Sequence, residues 1–113
     1  MTKEDKNLMA LRKALDTRGI PVSEQLEVEQ TLNKMGLASD YLDECLSRSF
    51  PDESIQLGFL IRYTAYRLFS FDEDSQNSFL ADIKNTLEYL NAMDAGDIDA
   101  AATITADMLK RKN

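Results

Sequence analysis

The stretch IQLGFLIRYTAYRLFSF, residues 55–71, constrains the fold of this chain more than any other segment. Its spacing predicts one helix over about residues 51–70, with apolar stripes on two opposite sides. The stripes comprise Ile55, Phe59, Tyr66 and Phe69 on one side and Leu57, Ile61, Leu68 and Phe71 on the other. A helix that is apolar nearly all round belongs at the centre of a bundle or in a subunit interface. Arg62 and Arg67 interrupt the stretch, so we do not expect it to span a membrane.

The rest of the chain carries helix-start and helix-stop signals and no alternating β-branched runs. The predicted caps and stops are Thr2, Gly19, Ser23, Gly36, Ser39 and Asp97. A further helix with apolar residues at helical spacing is predicted from about Asp74 to Ala92. We therefore predict an all-α fold, a single-domain bundle over residues 1–113 with five or six helices. The apolar helix at about 51–70 is expected at its centre.

The residue inventory removes several kinds of chemistry. The chain has no histidine, which excludes Ser-His and Cys-His nucleophile pairs and nearly all zinc sites. Its single cysteine, Cys45, is spaced to lie beside Leu42, so we expect it in the core. We predict a protein that is not an enzyme and has no cofactor or metal site. The third possibility is a small carboxylate-metal enzyme, since Asp40 and Asp43 lie three apart on one helix face and could hold magnesium jointly with another carboxylate pair.

A second alternative is a transcription regulator that uses residues 23–48 as a helix-turn-helix. Gly36 stands at the position of the turn glycine, and Leu42 and Cys45 at positions where the second helix would pack on the first. However, the outward side of that second helix carries Asp40, Asp43 and Glu44 against only Arg48. Carboxylates repel the phosphates that lysine and arginine would neutralise, so we do not expect nucleic acid as a partner.

Charge and the aromatic helix together favour a protein partner. The chain has a net charge of −7, with net −6 in residues 23–54 and net −7 in residues 72–99. We predict a non-catalytic regulator, antitoxin- or immunity-type inhibitor, nucleic-acid mimic or adaptor that binds a protein with a basic surface. The predicted partner-binding residues are Asp40, Tyr41, Asp43, Glu44, Arg62, Tyr66, Asp72, Glu73 and Asp74. A homodimer through the helix at about 51–70 would also satisfy its apolar surface and Arg62.

Location is predicted from the N-terminal residues and the cysteine count. The first ten residues, MTKEDKNLMA, are charged and contain no apolar run of the length of a secretory signal. A lone cysteine forms no internal disulfide, which favours a reducing compartment. We therefore expect a soluble, cytoplasmic protein.

Overall fold

The computed structural model describes the backbone of residues 1–112 and the side chains of residues 1–110. It is an all-α helical bundle: 86% of the chain lies in five helices, and no strand occurs among the described residues. The helices are α1 (Lys3–Thr17), α2 (Val22–Ser49), α3 (Glu53–Leu68), α4 (Glu73–Ala95) and α5 (Ile98–Lys112). The predicted fold class is confirmed. No helix in the described part of the chain has the length and apolarity needed to cross a bilayer.

Capping explains where most of the helices begin. The Thr2 hydroxyl accepts a hydrogen bond from the Asp5 amide at 3.1 Å, and the Asp5 carboxylate accepts one from the Thr2 amide, which forms a capping box at α1. The carboxylate of Asp52 accepts from the Ser54 amide at 2.8 Å at the start of α3. The carboxylate of Asp97 accepts from the Ala100 amide at the start of α5. The predicted caps at Thr2 and Asp97 are confirmed.

The contacts divide the chain into two compact units, residues 1–26 with 79–113 and residues 27–78. The first unit holds the buried core, in which α1 packs against α5. Leu11 and Leu15 of α1 meet Ala101 and Ala102 of α5, and both alanines are fully enclosed. Small residues on α5 allow the two helices to approach closely, because they leave room for the α1 leucines. The assignment of residues 1–113 to one domain stays a prediction.

The second unit, residues 27–78, has very little buried surface. Leu46 is its single buried residue, and no residue of α3 is buried. The expectation that the apolar helix at about 51–70 lies at the centre of the bundle is therefore wrong for a single chain. Its side chains are apolar as predicted, but among the described residues of α3 none is buried, and Leu60 and Leu68 are only half-buried. Cys45 is also exposed, which corrects its predicted place in the core.

The prediction of a turn at Gly36 is also wrong. Helix α2 continues without a break through Gly36 and Ser39, so the two helices expected here are one helix of 28 residues. The helical conformation at Gly36 requires no positive φ, in contrast to Gly19 and Gly96, where φ is 79° and 75°. Those two glycines end α1 and α4 in the left-handed conformation that side chains disfavour. The predicted stop at Gly19 is confirmed, and the one at Gly36 is not.

Replacing Gly36 with alanine tests this correction. A Cβ at Gly36 would meet no atom within 4 Å. We expect Gly36→Ala to raise the free energy of unfolding by about 0.5–1 kcal/mol, since glycine is a poor residue within a helix. Gly96→Ala is the matched control, and we expect it to destabilise because of its positive φ. Urea denaturation followed by circular dichroism measures the stability of both variants. A loss of stability in Gly36→Ala would contradict the continuous helix and support a turn at this residue.

Candidate interaction surface

The side of α3 that carries Arg62 forms a shallow depression. The guanidinium carbon of Arg62 lies 5.6 Å from the ring centre of Tyr66, which is the distance of a cation–π contact. Phe69 meets the Tyr66 ring edge-on at 6.4 Å. Arg62, Ala65, Tyr66 and Phe69 line an open cavity of about 300 Å³. We call Phe59, Arg62, Tyr66 and Phe69 the arginine–aromatic face.

Aromatic contacts extend this face towards the start of α3. The rings of Phe50 and Phe59 lie 5.8 Å apart, and those of Phe59 and Tyr63 stack at 6.1 Å. Gln56 holds the corner before the helix, because its side-chain amide donates to the Phe50 carbonyl at 2.7 Å. The rings are thus ordered by one another while most of them stay exposed to solvent. Exposed contiguous aromatic surface of this kind marks interaction sites in soluble proteins.

The charge of α3 is positive and is not neutralised by neighbours. Residues 54–71 contain Arg62 and Arg67 but no aspartate or glutamate. Within the described part of the chain, neither arginine forms a salt bridge. An arginine that is stacked on a ring but has no carboxylate partner keeps its planar donors available for a second molecule.

Helix α2 presents a second apolar surface. Every residue from 30 to 45 is exposed, although this span contains several large apolar side chains. Residues 28, 32, 35, 39, 42 and 46 follow the alternating spacing of four and three that is typical of paired helices. We call Leu32, Met35 and Leu42, the exposed apolar members of this series, the α2 seam. The seam was not predicted from the sequence, because a helix was expected to end at Gly36, whereas α2 continues through this residue. The uninterrupted spacing of apolar residues was the signal for it.

The predicted acidic residues of α2 are all exposed. Asp40, Tyr41, Asp43 and Glu44 lie on two successive turns, and Glu44 forms an i,i+4 salt bridge with Arg48. Asp43 flanks the α2 seam by helical phase, and Asp40 lies farther round the helix. Among the described side chains no group of three or more carboxylates or thiols is close enough to hold a metal ion.

The remaining acidic residues, Asp72, Glu73 and Asp74, lie at the start of α4. The Asp72 carboxylate accepts a hydrogen bond from the Ser75 amide at 2.7 Å, so it caps this helix. Hydrogen bonds from the Ser75 side chain and from its backbone hold the pKa of Asp72 below the ordinary value of 3.8. The carboxylates of Glu73 and Asp74 lie in the first turn, where the helix dipole favours negative charge.

The Asp72 cap predicts a specific pH dependence. Because the pKa of Asp72 is lowered in the folded state, its contribution to stability is present above pH 3.8 and lost as the pH falls through the lowered pKa. We expect Asp72→Ala to destabilise the start of α4 at neutral pH, and Asp72→Asn, which can still cap, to do so less. Amide exchange at Ser75 measures both. An equal effect of the two variants would show that Asp72 does not act as a cap.

All nine predicted partner-binding residues lie in the unit formed by residues 27–78. The structure brings Arg62 and Tyr66, which are four residues apart on α3, into contact. No hydrogen bond or salt bridge within the described part of the chain joins the acidic residues of α2 to those at the start of α4. The unit therefore presents an arginine–aromatic face, an apolar seam and two acidic groups.

Comparisons of the chain with protein-family models, with curated proteins and with solved structures found no significant match.

Proposed function

We propose that this chain is a non-catalytic protein that acts by binding another protein through the unit formed by residues 27–78. The observation that carries the proposal is the exposure of large apolar and aromatic side chains on α2 and α3 of this unit. Burial of such side chains from water is the main favourable term in protein association. Arg62 contacts the ring of Tyr66. Arginine and tyrosine are among the residue types that contribute most to binding energy at interfaces.

The charges of the unit suggest the chemistry of the partner. The carboxylates of Asp40 and Asp43 on α2 and of Glu73 and Asp74 on α4 are exposed and form no salt bridge with a described residue. A partner with lysine or arginine beside an apolar patch would complement both features, and the opposite charges would raise the rate of association. Regulator, inhibitor, nucleic-acid mimic and adaptor are all roles of this kind.

The helix-turn-helix alternative has no comparable support. Its turn was expected at Gly36, which lies inside the continuous helix α2. The exposed carboxylates of α2 would also face the phosphates of any nucleic acid laid along it.

Photo-cross-linking in the native cell tests the proposal. A photoreactive phenylalanine analogue replaces Met35 of the α2 seam or Tyr66 of the arginine–aromatic face, both exposed in this unit, and in a control it replaces Lys6, which is exposed on α1. We expect protein adducts at Met35 and Tyr66, none at Lys6, and fewer in high salt because salt screens the charges. Absence of any protein adduct at both Met35 and Tyr66, or equal adducts at all three positions, would contradict the proposal.

A further inference from the structure

We propose that the protein bound at residues 27–78 is a second copy of this chain, with α3 of each protomer packed against α2 of the other. This inference rests on the proposed function, because it identifies the partner of the same unit. The arginine–aromatic face of one copy would cover the α2 seam of its partner, and the reverse contact would follow from the two-fold axis. In such a dimer both copies use the same surface, so the two contacts are equivalent.

The exposed apolar surface of residues 27–78 supports a large interface. In this unit Leu32, Met35 and Leu42 of α2 are 43–58% exposed, and Phe59, Tyr66 and Phe69 are 40–74% exposed. Obligate interfaces resemble a domain core cut in half, with apolar side chains at the centre. A small, transient contact would leave most of these side chains exposed, whereas a second copy that packs along both α2 and α3 covers them.

The spacing of α2 supports another helix as the occupant. Leu32, Met35 and Leu42 keep the alternating four-and-three spacing with which one helix packs its side chains into the gaps of another. Residues 30–45 have no buried side chain, and a solvent-exposed helical segment of this length is only marginally stable in water. Packing against a helix of the second copy supplies the missing tertiary contacts.

The charges of the two helices favour α3 of the second copy, rather than its α2, as the helix that packs against the α2 seam. Helix α2 is acidic, so two α2 helices side by side would repel one another. Helix α3 instead offers Arg62 and Arg67, with no carboxylate between residues 54 and 71. Packing of α3 on α2 across the two-fold axis places each arginine-bearing helix beside an acidic one. The chain therefore contains both halves of a complementary pair.

The molar mass of the purified full chain in solution tests the inference. Sedimentation equilibrium should give twice the 12.8 kDa chain mass. The double variant Leu32→Gln/Met35→Gln replaces two of the three side chains of the α2 seam with helix-compatible residues and should raise the dimer dissociation constant about 100-fold or more. The matched control is Leu26→Gln/Leu37→Gln, at leucines on the opposite side of α2 that are 51% and 66% exposed. The control should remain a dimer, and circular dichroism checks that both variants stay helical.

Two results would overturn the inference. One is the single-chain mass for the unaltered protein at every concentration up to about 100 μM, which corresponds to an association too weak for an obligate interface. The other is a dimer that the seam variant leaves intact or that the control disrupts equally. The mass of the photo-cross-linked adducts distinguishes failure of this inference from failure of the proposed function. Adducts with other proteins but not with a second copy would contradict only the present inference.

Discussion

Leu15→Ala is expected to lower the free energy of unfolding by about 2–5 kcal/mol, which is a large share of the stability of a domain of this size. Leu15 is only 5% exposed and packs with Leu11 against Ala101 and Ala102. Alanine at this position leaves a cavity that the two small residues of α5 do not fill. Urea denaturation at fixed chain concentration measures the loss, since dimerisation makes apparent stability depend on concentration.

The matched control for this prediction is Leu37→Ala. Leu37 is 66% exposed and lies opposite the α2 seam, so its truncation should change the free energy of unfolding by no more than about 0.5 kcal/mol. A loss at Leu37 as large as that at Leu15 would mean that the core is not confined to the contact of α1 with α5.

Charge reversal at the proposed interface is expected to have the second large effect. Arg62→Glu replaces the stacked guanidinium of α3 with a carboxylate that would face the acidic α2 of the other copy. Loss of a paired charge at an interface costs about 2–5 kcal/mol, so the dimer should weaken about 30-fold or more. Asp43→Lys, which reverses a charge beside the α2 seam, should weaken the dimer for the same reason.

A mixture of Arg62→Glu and Asp43→Lys chains should recover the dimer. In the mixed pair, the introduced carboxylate of one chain meets the introduced ammonium group of the other, and the second contact keeps the native Arg62 and Asp43. Asp40→Lys is the control, because Asp40 lies farther from the α2 seam by helical phase. Native mass spectrometry distinguishes mixed from like pairs. Equal recovery with Asp40→Lys, or none with Asp43→Lys, would contradict the packing of α3 on α2.

Local signals predicted the parts of the fold that depend on local physics. Thr2 and Asp97 cap helices because their side-chain oxygens accept from backbone amides one turn ahead. Gly19 ends α1 because it adopts a positive φ. The contact of Arg62 with Tyr66, found in the structure, is also local, because it joins residues four apart on one helix. Each of these features involves residues close together in the sequence.

The wrong predictions concern features that depend on tertiary contacts. Gly36 was expected to end a helix, but glycine is tolerated inside a long helix when packing or length compensates for it. The helix at about 51–70 was expected in the centre of one chain, because an apolar pattern shows that a surface avoids water but does not identify which molecule covers it. Cys45 was expected in the core because it is spaced to lie beside Leu42, but both residues are exposed.

Hydrogen exchange of the amides of residues 30–45, measured across a range of chain concentrations, tests most directly whether a second copy covers α2. We predict that these amides are protected where the dimer prevails and exchange rapidly on dilution, while those of Leu11 and Leu15 in the α1 core stay protected throughout. Rapid exchange of residues 30–45 at the highest concentration, or protection that does not change on dilution to the single chain, would contradict this account.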